Sequence, residues 1–498
     1  MKTDRIKLWL YGGAAVLALA LLGYCAFSGE EAQLHPQRTL ALLLGGAVLL
    51  AALLGGVLWL NRRGAPVERY FLLLFIPISL GMMAVMPILR VPDELAHLQR
   101  AYQLSSGQFL PEDGMFSEPE DLFPAVDSSV VTLRDVAGMF AEKVDGSPTE
   151  AVANEATGIY PMTAYIPQAL GMAAARLVTS NQGVLMYAAR LGSWLLTLLM
   201  LYGAIRLTPS GKSIMLVVSL LPMTLQEAAS ASVDGMTIGC VLLLVAAVLR
   251  IREEKKLFRG ALPLLCLTAV GLVSFKVMYA PFLLLALFLP REAFSGKIKR
   301  GAAWGLMLLC AVLTAALWAW SSLYPGAVAG SHAAQIGTQM QAFLRAPQRF
   351  ALMLVKTIVS SAPSWGVHMI GFGLSWFNMY LRKPLVLLFA GALVCAAVYD
   401  RPVASPKRVR GAVWGISLIV FLLIAGSLYL WWTPAGSAVI EGIQGRYFLP
   451  MAAPVLMGLT DILRRKEHGS GQAMPVLYGA TACLCVGTLL NVLSYTLI

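Results

Sequence analysis

Long apolar runs separated by short polar stretches dominate the chain. Runs near 8–27, 39–60, 70–89, 185–205, 213–230, 233–250, 301–323, 384–399, 411–432, 447–463 and 474–496 contain few or no charges. A helix that crosses the hydrocarbon core needs about 20 such residues, and fewer when it is packed inside a bundle. The stretch 260–290 is apolar too, but Lys276 interrupts it. It is expected to form two short helices meeting near Lys276. The pattern predicts an all-α, polytopic membrane protein.

The basic residues set the orientation. They cluster between apolar runs, as in Arg62/Arg63/Arg69, Arg250/Arg252/Lys255/Lys256/Arg259 and Arg401/Lys407/Arg408/Arg410. If all these clusters face the cytoplasm, the number of crossings between any two is even. That parity decides two doubtful segments. The apolar piece 160–178 cannot cross, because 70–89 goes out and 185–205 returns. Likewise 342–380 must stay outside, lie along the interface or form a re-entrant pair. The result is about thirteen spans, with the N-terminus in the cytoplasm and the C-terminus outside. Three sizeable segments then face outward: 90–184, 324–383 and 433–446.

Composition agrees with lipid as the main solvent. Of 498 residues, 58% are hydrophobic and 13% charged, where a soluble domain carries about a quarter charged residues. A formal net charge of +12 would suggest nucleic acid in a soluble chain. Here it is spent on orientation, and no nucleic-acid partner is expected. The outer stretch 90–159 is acidic, with thirteen Asp/Glu against four Lys/Arg, and is expected to be an external loop domain. The first run follows Lys2, Arg5 and Lys7 but lacks a small-x-small cleavage site, so it is read as a retained helix. The seven cysteines lie in apolar runs without metal spacing, and no His pair has it either. No metal site and no cofactor are expected. Walker, GxGxxG, GxSxG and HExxH motifs are also missing, which argues against ATP-driven transport by this chain alone.

Polar residues gather where helices reach the outer boundary. The densest cluster runs from Arg90 to Arg100, directly after a span. Pro92 is suited to begin a helix, which places Asp93 and Glu94 in its positive first turn. His97 is four residues from Asp93 and three from Glu94, hence a neighbour of both. A carboxylate oriented by a His or Arg suits a general base, although acids are common in any first turn. The stretch Gly158–Gln168, with Tyr160 and Tyr165, taken by itself reads first as an interfacial anchor. Gln226, Glu227, Ser230, Ser232 and Asp234 form a turn between two helices, where a site and a plain water boundary are balanced. Lys276 could snorkel to the surface or bind an anion such as a lipid phosphate. Glu441 to Pro450 holds Gln444, Arg446 and Tyr447 behind Trp431 and Trp432. Its glycines allow close approach, and Arg446 can grip a phosphate with two parallel hydrogen bonds.

Taken in order, these motifs resemble the GT-C class of membrane glycosyltransferases. More specifically, the chain resembles a bacterial family catalogued as domain of unknown function 2142. Four stretches carry the resemblance: Val91-Pro92-Asp93-Glu94-Leu95-Ala96-His97 with Arg100-Ala101-Tyr102; Tyr160-Pro161 through Pro167-Gln168-Ala169-Leu170-Gly171; Leu221-Pro222-Met223 with Gln226 and Ser232-Val233-Asp234; and Gln444 to Pro450. Lys276 fits the pattern as well. The resemblance covers roughly 70–465, which it marks as a GT-C-like catalytic core. Two extra helices lie within 1–69 and a final helix within 466–498. Met162-Thr163 stands where related enzymes often show Pro and Leu.

The resemblance implies transfer of a sugar from a polyprenyl-phosphate donor to an acceptor of the cell surface or wall. The reaction would take place on the outer face of a bacterial inner or plasma membrane, with inversion. It implies Asp93 as catalytic base with Glu94 as partner or substitute. Arg446, Lys276 and Arg100 would hold the donor phosphate. His97, Tyr160, Gln168, Asp234, Gln444 and Tyr447 would bind or orient substrate. Two other readings stay open: a flippase for lipid-linked sugars, and a non-catalytic scaffold of an envelope-synthesis complex.

Overall fold

In the computed structural model, the described residues are 20–25, 36–110, 115–124, 126–144, 149–152, 157, 160–294, 299–323, 330–400, 407–463 and 473–497. Most of the expected helix 8–27, the basic groups Lys2/Arg5/Lys7 and Arg464/Arg465/Lys466, and Gly158-Ile159 lie outside them. The chain is an all-α, multi-pass membrane protein with only two small two-stranded ribbons among the described residues. In chain order the helices begin with α1 (Pro36–Arg62), α2 (Val67–Val85) and α3 (Glu94–Ser105). Strand β1 (Phe116–Pro119), α4 (Leu133–Met139), β2 (Thr149–Val152) and α5 (Ile166–Arg176) complete the segment between α2 and α6, named the external segment after the side expected for it from the basic clusters. Next come α6 (Gln182–Leu207), α7 (Lys212–Ser219), α8 (Pro222–Ala228), α9 (Asp234–Glu254) and α10 (Ala261–Lys276). A 3₁₀ stretch Val277–Phe288 leads to α11 (Arg300–Leu323), α12 (Gly330–Arg345) and α13 (Pro347–Ile370). The ribbon β3 (Gly373–Leu374) and β4 (Met379–Tyr380) precedes α14 (Lys383–Tyr399), α15 (Lys407–Trp431), α16 (Leu449–Leu463) and α17 (Ala473–Thr496).

Among the described residues, nine helices are long and apolar enough to cross a membrane. The larger number expected from sequence included shorter pieces. The run 213–230 is broken into α7 and α8, with Pro222 opening the second. Helices α14 and α16 have 17 and 15 residues. The two short helices expected around Lys276 form a hairpin. Lys276 contacts Asp234 at the start of α9, while the Phe288 carbonyl meets Arg252 near the other end of α9. The chain therefore reaches one end of the bundle at Lys276 and comes back. Helix α9 is the axis of the bundle, buried along nearly its whole length and packed against α6 and α10. At the far end, Asp400 after α14 accepts the Ser213 and Ile214 backbone N–H groups at the start of α7 (2.6 and 3.2 Å). An acid there satisfies helix donors that have no intrahelical partner.

The end that holds Lys276 and Asp234 carries the external segment. Its own small core includes Leu98, Leu122, Val136, Met139, Met172 and Met186. At eleven residues, α5 is about 16 Å long, too short to cross, and it lies on α6. The contact is backbone to backbone: a Cβ on Gly192 of α6 would sit 2.0 Å from the Pro167 carbonyl oxygen, and one on Gly171 of α5 would sit 2.1 Å from that of Ala188. In a free helix Gly→Ala stabilises by about 1 kcal/mol. Here the added methyl meets a carbonyl that cannot rotate away, so Gly192→Ala is expected to destabilise by about 1–3 kcal/mol, read as a lower melting temperature in detergent. Helix α13 slants across the same end. Phe350 packs on Tyr429, Thr357 accepts the Ile440 N–H at 2.8 Å, and Trp365 stacks on Phe448. Both ends of α13 thus touch elements of that one end.

Candidate functional site

Asp93 stands just before α3. The sequence placed it inside the first turn, but the helix begins at Glu94, and Asp93 is left-handed (φ 67°, ψ 1°). A short acidic side chain is among the few that tolerate this conformation. Its carboxylate caps nothing in α3. Instead it reaches across the bundle end to accept a hydrogen bond from Arg446 Nη2 at 2.9 Å. The Asp93 side chain is 54% exposed and that of Arg446 only 6%, so an exposed carboxylate rests on a buried guanidinium.

Arg446 sits in a 3₁₀ turn, Gly445–Phe448, that leads into α16. A Cβ on Gly445 would lie 2.3 Å from the Met369 nitrogen, so only glycine lets this turn press on the end of α13. Arg446 Nη1 lies 3.7 Å from Asp234 Oδ2 and 4.0 Å from Glu227 Oε1. Asp234 also pairs with Lys276. The Tyr447 ring packs against both cations, 5.1 Å from Lys276 Nζ and 5.5 Å from Arg446 Cζ. Tyr160 lies within the field of Lys276, Asp234, Tyr447 and Asp93. Gln444 Oε1, Arg446 Nε and Glu227 Oε2 are buried without a hydrogen-bond partner among the described residues. Buried polar groups are normally satisfied, and three such atoms fall within this one cluster.

His97 also borders the cluster, and its Nδ1 lies 2.8 Å from the Tyr165 hydroxyl. Burial pushes the imidazole down to about 4, opposed by the nearby Asp93 and Asp234 charges. It is therefore neutral at physiological pH and orients Tyr165 rather than pairing with Asp93.

Glu94 is placed differently from its neighbour. Its side chain is fully buried and held by Arg190 through Nε and Nη2, both at 2.8 Å. The Leu89 and Ala231 N–H groups donate to it as well (2.9 and 3.0 Å). With every oxygen engaged, it has no lone pair pointing at a substrate and does not fit the role of base. Arg190 also donates to the Met83, Met86 and Pro87 carbonyls. Together the pair locks the end of α2, the start of α3, α6 and the 230–232 turn, and so sets the distance from Asp93 to Asp234. Gln168 supports the same turn through its hydrogen bond to the Ala231 carbonyl (3.0 Å); it positions Asp234 and does not face the cluster. Arg100 is also elsewhere. It donates to the Gln108 and Phe109 carbonyls (3.4 and 3.0 Å) and packs on the Phe116 ring, bracing the external segment rather than meeting the cluster.

Sequence reasoning missed Arg190. A lone arginine inside an apolar run is costly unless partnered, which was the available signal, but its partner lies 96 positions away. It also missed the role of the 372–380 ribbon. There Ser375 donates its backbone N–H to Gln226 (2.7 Å) and its hydroxyl to the Arg90 carbonyl (3.0 Å), pinning the external segment to α8.

The assembled site gathers two cations, Arg446 and Lys276, on either side of the Asp234 carboxylate, with the exposed Asp93 carboxylate at its edge. No curated protein and no solved structure matches the chain. The family described as "Predicted membrane protein (DUF2142)" matches residues 75–455, a span that contains every residue of the site. It leaves out α1 and α17, which pack on each other. By that match, the chain belongs to this family of multi-pass membrane proteins.

Proposed function

We propose that the protein transfers a sugar from a polyprenyl-phosphate donor to a hydroxyl of an envelope glycan or other acceptor, on the outer face of a bacterial inner or plasma membrane. The reading is supported above all by the contact between exposed Asp93 and buried Arg446. The donor phosphate takes the place of the Asp93 carboxylate on the guanidinium, where two parallel hydrogen bonds are available. Lys276 approaches from the α10 side. Asp93, released, turns to the acceptor and removes the hydroxyl proton. The acceptor oxygen bonds to the anomeric carbon as the bond from that carbon to the phosphate oxygen breaks, with inversion. Both electrons of that bond leave on the phosphate, and the two cations stabilise the charge. The cations come from the protein, so the reading calls for no metal or cofactor.

The test uses the reconstituted protein with a panel of polyprenyl-phosphate sugars and follows release of free polyprenyl phosphate. Release from one donor, dependent on an acceptor, is the expected result. Donor movement across the vesicle without bond cleavage would overturn the reading in favour of a flippase. Lys276→Met is expected to weaken binding of the lipid phosphate by at least about tenfold, the scale of one charged hydrogen bond, as measured by titration with undecaprenyl phosphate.

A further inference from the structure

Glu227 is the one charged-type group of the cluster left without a task. It lies in α8, a seven-residue helix opened by Pro222, with its side chain fully buried. Its Oε1 accepts the Gln226 amide at 3.2 Å and stands 4.0 Å from Arg446 Nη1. Its Oε2 has no partner among the described residues.

The three carboxylates compete for two cations, and they do so unequally. Asp93 has a direct hydrogen bond to Arg446 and faces water. Asp234 touches Lys276 and lies near Arg446. Glu227 has the most distant cation, no contact with Lys276, and one bare oxygen. The charged groups that face it are Arg446, Asp234 and Lys276, and the negative one of these raises the cost of ionising it. A buried ionised carboxylate with an oxygen unpaired by the protein is far costlier than a neutral acid with one unmet hydrogen bond.

Resting on the transferase reading, we propose that Glu227 is a further catalytic residue, kept protonated beside Arg446 and delivering its proton to the departing phosphate. The chemistry balances. The donor is a phosphodiester with one negative charge, and the product polyprenyl phosphate gains a second when the anomeric bond breaks. Glu227 gives its proton to that oxygen, so the product leaves as a monoanion and Glu227 stays behind as carboxylate, paired with the Arg446 that the product has vacated. The acceptor's proton goes to Asp93 and from there to water. Glu227 takes a proton back from water to reset. Without this transfer a dianion would be held by both Arg446 and Lys276, and its release would limit turnover.

Infrared difference spectroscopy on the reconstituted protein tests it, with undecaprenyl phosphate as probe and inorganic phosphate beside it. The wild type at neutral pH is expected to show the carbonyl stretch of a buried protonated carboxylic acid, absent from Glu227→Gln and displaced in Glu227→Asp. Saturating undecaprenyl phosphate is expected to diminish it. Turnover of Glu227→Gln is expected to fall about 10²-fold, with donor affinity unchanged. Absence of the band from wild type, or its persistence in Glu227→Gln, overturns the proposal. A probe-sensitive band in a protein that transfers no sugar would retain the proton on Glu227 and remove the transferase reading. Sugar transfer with a band that ignores the probe would keep the transferase reading and overturn proton delivery by Glu227.

Discussion

Asp93→Asn is expected to lower sugar transfer by about 10²–10⁴-fold, the range for loss of a general base, while the donor binds at least as tightly as before. The second half of that result is the informative one. In the resting protein Asp93 occupies Arg446 Nη2 at 2.9 Å, so an arriving phosphate must displace a carboxylate. Asparagine keeps the shape, and its amide oxygen can still accept a hydrogen bond. It carries no charge, however, and competes weakly for the guanidinium. Turnover therefore falls while donor affinity holds or rises. A residue that merely shaped the site would lose both together. Arg446→Gln is expected to lose both, since it removes the phosphate's partner and leaves Asp234 with Lys276 as its remaining cation. Transfer rate and donor dissociation constant, measured side by side on the reconstituted variants, decide the matter.

Glu94→Gln is expected to cost about 3–5 kcal/mol of stability, because removing one member of a buried ion pair leaves the other charge uncompensated. The Arg190 guanidinium has no water to turn to, since both side chains are fully buried. Arg190→Met is expected to do similar damage by a different route. It strands the Glu94 carboxylate and also the Met83, Met86 and Pro87 carbonyls that Arg190 serves. The double variant Glu94→Leu, Arg190→Met should regain part of the loss, as paired apolar replacements of buried ions often do, but not the part owed to those carbonyls. Thermal unfolding in detergent across the three variants measures this. A Glu94→Gln protein as stable as wild type would show that the pair does not lock α3 to α6. The comparison also separates Glu94 from Asp93: one variant should lose stability first, the other activity first.

Much of the architecture could be read along the chain. Apolar run length and the placement of Lys and Arg are local properties, and lipid enforces them because an unpaired backbone or charge in hydrocarbon has nowhere to go. That is why the break at Lys276 could be anticipated: one lysine in an apolar run of about 30 residues is a strong local signal. Helix α5 could be placed by parity alone, since 160–178 had no partner crossing. Span counting was coarser, because α7, α8, α14 and α16 are shorter than a free-standing span and persist only inside the bundle. For the site, residue types at helix mouths pointed to Asp93, Asp234, Lys276 and Arg446 as candidates. The structure links these four in a row, Asp93 to Arg446 to Asp234 to Lys276.

What the chain by itself determined is therefore the solvent, the helices and the end of the bundle on which its polar chemistry gathers, all written in the order of apolar and charged residues. What only tertiary structure decided is the division of labour between adjacent acids. Asp93 and Glu94 are consecutive and chemically alike, yet a left-handed backbone at Asp93 sends one carboxylate to water and Arg446, while helix α3 sends the other inward to Arg190. Their partners lie 353 and 96 positions away along the chain. Local pattern carries no information at that range; only the packing of α3, α6 and α16 brings those charges within hydrogen-bonding distance.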